Sequence, residues 1–187
     1  MSDLVRSHWP SAAAFLWGAA EATLFFIVPD VIISYAGLTR GVRAGALASL
    51  AAAVGAAIGG ALMFLWSVRD PAAARDAVMA VPAISEPMAA NAAEAMMQNW
   101  FTALALGPLS STPFKLYAII APHAGATLPL FFLATIAARL PRFLIVGAAA
   151  ALIARALEPR FGRARLIWAL AIAWLAFYAA FFALVPS

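Results

Sequence analysis

The chain contains no cysteine, and only 11% of its 187 residues are charged. The absence of cysteine excludes structural disulfides, thiolate metal sites and cysteine nucleophiles. The sequence also lacks a Walker loop, a dinucleotide-binding glycine pattern, a zinc-binding helix motif and a nucleophile elbow. We therefore expect no cofactor, no metal ion and no enzymatic activity.

Apolar residues are abundant and make up 66% of the chain. Several apolar runs exceed the roughly 20 residues that a helix needs to cross the hydrocarbon core of a bilayer. The expected fold class is an all-α, multi-pass membrane protein with a single domain over residues 1–187. The net charge of +4 would suggest nucleic acid in a soluble protein, but here most arginines flank apolar segments, where they set orientation. We therefore expect no nucleic-acid partner.

Five apolar segments follow one another along the chain, and two of them are interrupted near the middle. The segments cover residues 12–36, 45–68, 99–121, 127–153 and 166–185. Pro29 precedes Asp30 in the first segment, and Pro113 follows a polar run in the third. Proline lacks an N–H and clashes with the preceding helical turn, so each break predicts two half-helices. Pro141, in the fourth segment, is expected to be a third structural break.

The order of broken segment, continuous span, broken segment and continuous span indicates an internal repeat. Irregular backbone at membrane depth survives only where protein or water covers it, so we interpret both broken segments as re-entrant helical hairpins of opposite orientation. The predicted organisation has four parts. Repeat 1 covers about 11–68, an interfacial connector 69–98, repeat 2 about 99–155, and a final transmembrane helix 166–185. A topology of five full crossings stays open, because it divides the flanking arginines between the two faces just as unevenly.

Five charged residues remain inside the apolar segments after the loops are assigned, and together they carry one positive charge. They are Glu21, Asp30, Lys115, Arg139 and Arg142. At roughly 3 kcal/mol each, their unpaired cost would be on the order of 15 kcal/mol, too large for a small bundle unless they meet in one polar cavity. An alternative use is as structural ion pairs that hold the hairpins against the spans.

A surplus cation beside hydroxyl groups suits an anionic group such as a phosphate. The residues predicted to bind it are Arg139, Arg142, Lys115, Ser110, Ser111 and Thr112. Glu21 and Asp30 would neutralise the bases when no ligand is bound. They would also take up protons if transport is proton-coupled, because burial disfavours a charged carboxylate.

Three short motifs contain these charged residues. They are Ala20-Glu21 through Phe25-Phe26 to Pro29-Asp30-Val31, Gly107 through Thr112-Pro113-Phe114-Lys115-Leu116-Tyr117, and Ala138-Arg139 through Arg142-Phe143. In this order they resemble the DedA family, also called the SNARE-associated Golgi protein or VTT family, and its small bacterial branch in particular. The chain departs from the family pattern at Val28, before Pro29, and at Ala138, where a glycine is expected. A glycine expected after the second hairpin is also replaced around His123.

The resemblance implies a fold of two re-entrant hairpins in inverted repeat and a location in the bacterial inner membrane. It also implies movement of lipids between leaflets, with undecaprenyl phosphate or a phospholipid as the substrate. By position, Glu21 and Asp30 match the family's embedded acids, while Lys115, Arg139 and Arg142 match its basic positions. The departures bear on the loop geometry more than on the charges.

The predicted function is therefore that of a lipid flippase or scramblase, with membrane lipids as its partners. Two alternatives stay open. One is a secondary transporter of a small solute or ion, in which the acids are ion ligands. The other is a membrane assembly factor without transport, whose charges only lock the bundle. Small residues around Gly55, Gly59 and Gly60 would allow a homo-oligomer without requiring one.

Overall fold

The computed structural model describes residues 2–110 and 112–184, with side chains from Trp9 onward, and this part of the chain is helical without a strand. The α-helices are α1 (Ser2–Ala22), α2 (Asp30–Arg40), α3 (Val42–Arg69), α4 (Pro71–Met79), α5 (Glu86–Leu106), α6 (Phe114–Ile120), α7 (Leu128–Phe161) and α8 (Arg163–Leu184). The predicted all-α class is confirmed for these residues. Ser111 and the last residue of the predicted final helix, Val185, lie outside the described residues.

Three helices, α3, α7 and α8, are long and apolar enough to cross a membrane. They correspond to the three apolar segments that were predicted as ordinary spans. The 28 residues of α3 extend about 42 Å, more than the roughly 30 Å of a hydrocarbon core. The 11 residues of α2 extend only about 16 Å, which is too short to cross it. These lengths and compositions are those of a helical membrane protein.

The chain leaves its helical path in both segments that were predicted to be broken. We call residues 23–29, between α1 and α2, the first tip, and residues 107–113, between α5 and α6, the second tip. Asp30 is the first residue of α2, where the helix dipole favours a negative charge. Pro113 precedes α6 with φ −62° and ψ 134°, an extended backbone, and none of the described side chains caps this helix.

The predicted break at Pro141 is wrong, because α7 continues through this residue for a total of 34 residues. A proline inside a helix removes one hydrogen bond and costs about 3 kcal/mol. Here Arg139 and Phe143 are buried on either side of the proline and hold α7 against its neighbours. Their packing outweighs the local cost, so the helix persists while the ring of Pro141 lies exposed.

Helices α1 and α2 form a hairpin whose open end lies at the start of α3. The ring of Trp9 in α1 lies 5.7 Å from the ring of Tyr35 and 5.8 Å from the guanidinium group of Arg40, both in α2. The chain therefore returns along α2 to the level of Trp9. Gly41, with a φ of 84° that favours glycine, then joins α2 to α3.

Helices α5 and α6 form a second hairpin, whose open end lies at the other end of α3. Asn99 interrupts α5 with φ −162° and ψ 100°, and its side chain accepts a hydrogen bond from the N–H of Thr102 at 2.9 Å. Ser67, near the end of α3, donates to the carbonyl of Ile119 at 2.6 Å and lies 3.0 Å from His123. The two hairpins thus open toward opposite ends of α3.

Helix α3 packs tightly between α1 and α7 because glycines allow the backbones to approach. A Cβ atom at Gly55 would collide with the carbonyl of Phe15 in α1. In the same way, a Cβ atom at Gly37 in α2 would collide with the carbonyl of Gly147 in α7. The α3 glycines with such close neighbours are Gly45, Gly55, Gly59 and Gly60. This small-residue face is used within the chain, so it does not by itself support a homo-oligomer.

Candidate functional site

A cavity of about 430 Å³ lies between the two tips, α7 and α8. Four of the five charged residues predicted at membrane depth are in its wall, namely Glu21, Lys115, Arg139 and Arg142. The fifth, Asp30, forms an ion pair with Arg142. The structure therefore brings all five together, as the cost of leaving them unpaired predicted.

Arg139 is paired with an acid and held between two aromatic rings. Its Nη2 donates to Oε2 of Glu21 at 2.6 Å, and both side chains are only 8% exposed. Its guanidinium carbon lies 4.7 Å from the centre of the Phe114 ring and 5.2 Å from that of Phe143, within the range of cation–π attraction. Its Nη1 is buried without a hydrogen-bond partner among the described residues.

Arg142 is paired with Asp30 but is much more open to its surroundings. Nη2 of Arg142 lies 3.2 Å from Oδ1 of Asp30, and the side chains are 42% and 3% exposed respectively. Oδ2 of Asp30 is buried and has no hydrogen-bond partner within the described part of the chain. Because Glu21 belongs to α1 and Asp30 begins α2, helix α7 binds both limbs of the first hairpin.

Lys115 differs from the two arginines because its partner is a neutral carbonyl. Its Nζ donates to the carbonyl oxygen of Phe25 in the first tip at 2.9 Å. The residue is 2% exposed, and among the described side chains it takes part in no ion pair. Glu21 acts on Lys115 electrostatically, but that carboxylate is already paired with Arg139. The surplus positive charge of the cluster therefore lies on Lys115. A buried cation without an ion-pair partner of its own gains more from an anion than a paired one does.

The hydroxyl groups predicted to bind phosphate lie on the second tip. Ser110 and Thr112 are in the cavity wall, whereas Ser111 lies outside the described residues. Oγ of Ser110 donates to the carbonyl of Gly107 at 2.8 Å and lies 3.2 Å from the hydroxyl of Tyr117. A hydroxyl has one proton to donate, so in this conformation Ser110 stabilises the tip, and its predicted role in binding the phosphate stays a prediction. The predicted role of Thr112 stays a prediction.

Side chains from other helices satisfy the backbone of the first tip. Nε1 of Trp17 donates to the carbonyl of Ile27 at 2.9 Å. The N–H of Val28 donates to the hydroxyl of Tyr178 at 2.8 Å. Together with the bond from Lys115, side chains of α1, α6 and α8 hold the tip, as buried irregular backbone requires.

The chain matches no family model, no curated protein and no solved structure. The resemblance to the DedA family therefore rests on the three sequence motifs. The geometry of the cavity is an independent basis for a functional proposal.

Several residues at the site were not identified from the sequence. Phe181 of α8 is in the cavity wall, and Nε1 of Trp174 in the same helix donates to Oγ of Ser34 at 3.1 Å. The sequence analysis included Tyr117 only as part of a motif and assigned no role to Tyr178. A tyrosine in an otherwise apolar helix is a usable signal, because a buried hydroxyl needs a partner. The partner itself is 150 residues away along the chain, so the sequence does not reveal it.

Proposed function

We propose that the protein is a lipid flippase or scramblase of a bacterial inner membrane, which moves a phosphate-bearing lipid such as undecaprenyl phosphate or a phospholipid between leaflets. The observation that carries this proposal is the state of Lys115, a buried cation in the cavity wall that binds a carbonyl and, among the described residues, forms no ion pair. The unpartnered Nη1 of Arg139 is a second cationic donor in the same wall. Two such donors suit the oxygens of a phosphate.

The surroundings of the three bases give them an order of importance. Arg139 and Arg142 each have a carboxylate partner, so in our proposal Lys115 is the first anchor of the phosphate and Arg139 the second. Arg142 is the most exposed of the three and would meet the headgroup as it enters. Proton coupling through Glu21 and Asp30 stays a prediction from the sequence.

We also propose that both hairpins are re-entrant and enter the membrane from opposite faces, as repeats of inverted topology. Three features support this arrangement. Helices α2 and α6, with 11 and 7 residues, are too short to cross. The hairpins open toward opposite ends of α3, and the first tip meets the start of α6 where Lys115 binds Phe25. The cavity then lies near the bilayer midplane, where transporter sites are commonly found.

The size of the cavity favours a headgroup over a whole lipid. Its volume of about 430 Å³ equals the space of about 14 water molecules at roughly 30 Å³ each. A phosphate with a small headgroup fits this space, whereas a long hydrocarbon chain does not fit beside it. The chain of the lipid would therefore stay in the bilayer while the headgroup passes through the cavity.

The proposal is tested by reconstituting the purified protein in vesicles with a fluorescent or headgroup-tagged phospholipid. We expect Lys115→Met to reduce the rate of lipid movement at least about tenfold, the effect of losing one charge-assisted contact of about 1.4 kcal/mol or more. Arg139→Ala and Arg142→Ala should also be slower than wild type. The matched control is Arg75→Met, because Arg75 is an exposed arginine of α4 outside the cavity wall.

Two results would contradict the proposal. Equal rates for wild type and the three cavity variants would remove the phosphate-binding role. Equal rates for the phospholipid and for a neutral glycolipid without phosphate would remove the headgroup preference. Uptake of a water-soluble ion or solute without lipid movement would instead support the secondary-transporter alternative.

A further inference from the structure

Helix α8 is attached to the rest of the protein more loosely than the other two candidate spans. In the most apolar 18-residue stretch of α8 only 6% of residues are buried, compared with 61% in such a stretch of α3 and 28% in that of α7. A single residue, Gly162, with a φ of 76°, separates α7 from α8. Such a connection allows α8 to move as a unit about one flexible residue.

The contacts of α8 near the cavity are with the first hairpin. The Tyr178 hydroxyl accepts a hydrogen bond from the N–H of Val28. The ring of Phe182 meets that of Phe26 edge to face, with 5.4 Å between centres. Phe26 and Phe181 both belong to the cavity wall. We call this boundary between α8 and the first tip the aromatic seam.

We infer that the aromatic seam is the binding slot for the lipid's hydrocarbon chain, and that it opens when a phosphate draws the Lys115 ammonium group away from the carbonyl of Phe25. This inference rests on the proposed function and adds to it the route of the chain and the event that opens the route. The surplus positive charge of the cavity suits the phosphate of a lipid, and the slot is continuous with this cavity. The occupant of the slot is therefore the hydrocarbon chain of the same lipid.

The coupling follows from two hydrogen bonds that hold the same short loop. Lys115 binds the carbonyl of Phe25, and Tyr178 binds the N–H of Val28, three residues further along the first tip. A phosphate is a stronger acceptor for an ammonium group than a carbonyl is. When Lys115 turns to the phosphate, the carbonyl of Phe25 loses its partner, while the N–H of Phe25 stays bound to the carbonyl of Ala20. The tip is then held less firmly, and in our inference Phe26 moves away from Phe182.

The opposite wall of the cavity is less suited to the chain. It is formed by residues 81–84 of the connector between α4 and α5. An ion pair between Arg75 and Glu86 joins these two helices. Neither α4 nor α5 is a candidate span, whereas α8 is one. A chain that remains in the bilayer therefore leaves the cavity on the side of α8.

The test uses the natural absence of cysteine. In the variant Phe26→Cys/Phe182→Cys the two introduced thiols are the only ones, and a short bis-methanethiosulfonate reagent joins them across the seam. We expect the cross-linked protein to move lipid at least about tenfold more slowly than the same variant before cross-linking, and reduction to restore the rate. Transport by the cross-linked protein at the rate before cross-linking overturns the inference.

The control variant Arg75→Cys/Glu86→Cys joins α4 to α5, on either side of the wall residues 81–84, with the same reagent. Cross-linking there should leave lipid movement unchanged. Loss of transport in this variant, with full transport by the cross-linked Phe26→Cys/Phe182→Cys protein, assigns the chain to the connector wall. That result would contradict the assignment of the slot. The proposed function would still stand if lipid movement by the wild type depends on Lys115.

The opening event is tested separately, through the rate at which the cross-link forms in detergent. Glycerol 3-phosphate, a phosphate probe without a hydrocarbon chain, should slow cross-linking of Phe26→Cys/Phe182→Cys several-fold. Adding Lys115→Met should slow it without the probe. The pair Glu158→Cys/Arg163→Cys, which replaces an ion pair of 2.9 Å beside Gly162, should react equally in all cases. Unchanged rates across the seam with the probe and with Lys115→Met overturn the coupling.

Discussion

Lys115, Arg139 and Arg142 carry the same charge in one cavity wall, but their surroundings differ. Arg139 has a carboxylate and two aromatic rings around it, and Arg142 has a carboxylate and an open side. Lys115 binds a carbonyl group and forms no ion pair within the described part of the chain. Their substitution should therefore have different consequences. Loss of Lys115 affects the binding of an anion first, whereas loss of Arg139 affects the folded structure as well.

The pair of Glu21 and Arg139 leads to a prediction about stability. Glu21→Ala should lower the free energy of unfolding by about 3–5 kcal/mol, because it leaves a buried guanidinium group without its counter-charge. The double variant Glu21→Leu/Arg139→Met should recover most of this loss, because no buried charge remains. Unfolding in detergent, followed by tryptophan fluorescence, measures both variants.

The control for this prediction is the exposed pair of Arg163 and Glu158, whose side chains are 56% and 35% exposed. Arg163→Ala should cost at most about 1 kcal/mol. A loss for Glu21→Ala no larger than that for Arg163→Ala would contradict the assigned role of the buried pair. So would a double variant that is no more stable than the single one.

At the scale of helices, the sequence predicted the elements better than their contacts. Pro29 and Pro113 indicated both breaks, and long apolar runs indicated α3, α7 and α8, because these features act locally. Pro141 was misjudged, because the burial of Arg139 and Phe143 that keeps α7 helical is a tertiary effect.

The candidate site was predictable in its composition but not in its pairing. The cost of charge in an apolar medium required the five charged residues to meet, whatever the fold. Which base forms an ion pair with which acid depends on how α7 packs against the first hairpin. No local pattern contains that information. For the same reason, the placement of the surplus charge on Lys115 and the contacts of α8 emerged only from the structure.

The close approach of α1 and α3 gives a prediction about helix packing. Gly55→Leu should lower the free energy of unfolding by about 1–3 kcal/mol or more, because its side chain needs the space that the carbonyl of Phe15 occupies. Thermal unfolding in detergent measures the loss. The matched control is Leu62→Ala in the same helix, which is 58% exposed and should change the free energy by about 0.5 kcal/mol. Equal losses would mean that α1 does not pack on α3 in this way.

At the scale of the whole molecule, the opposite directions of the hairpins predict a particular topology. Single cysteines at the exposed positions Arg43, Arg75 and Arg160 can be labelled in sealed vesicles with a thiol reagent that does not cross membranes. With re-entrant hairpins, Arg43→Cys and Arg160→Cys react from one face and Arg75→Cys from the other. With five full crossings, Arg75→Cys and Arg160→Cys share a face instead, so the labelling pattern decides between the two.

The attachment of both limbs of the first hairpin to α7 also bears on how the protein resists force. Glu21 and Asp30 lie on separate limbs, but their partners are only three positions apart on one helix. A pull on the amino terminus would therefore unwind the outer part of α1 before it strained either attachment. The two ion pairs with α7 would then break together. A force–extension curve should therefore contain one abrupt rupture when unfolding reaches Glu21, in place of a gradual slope.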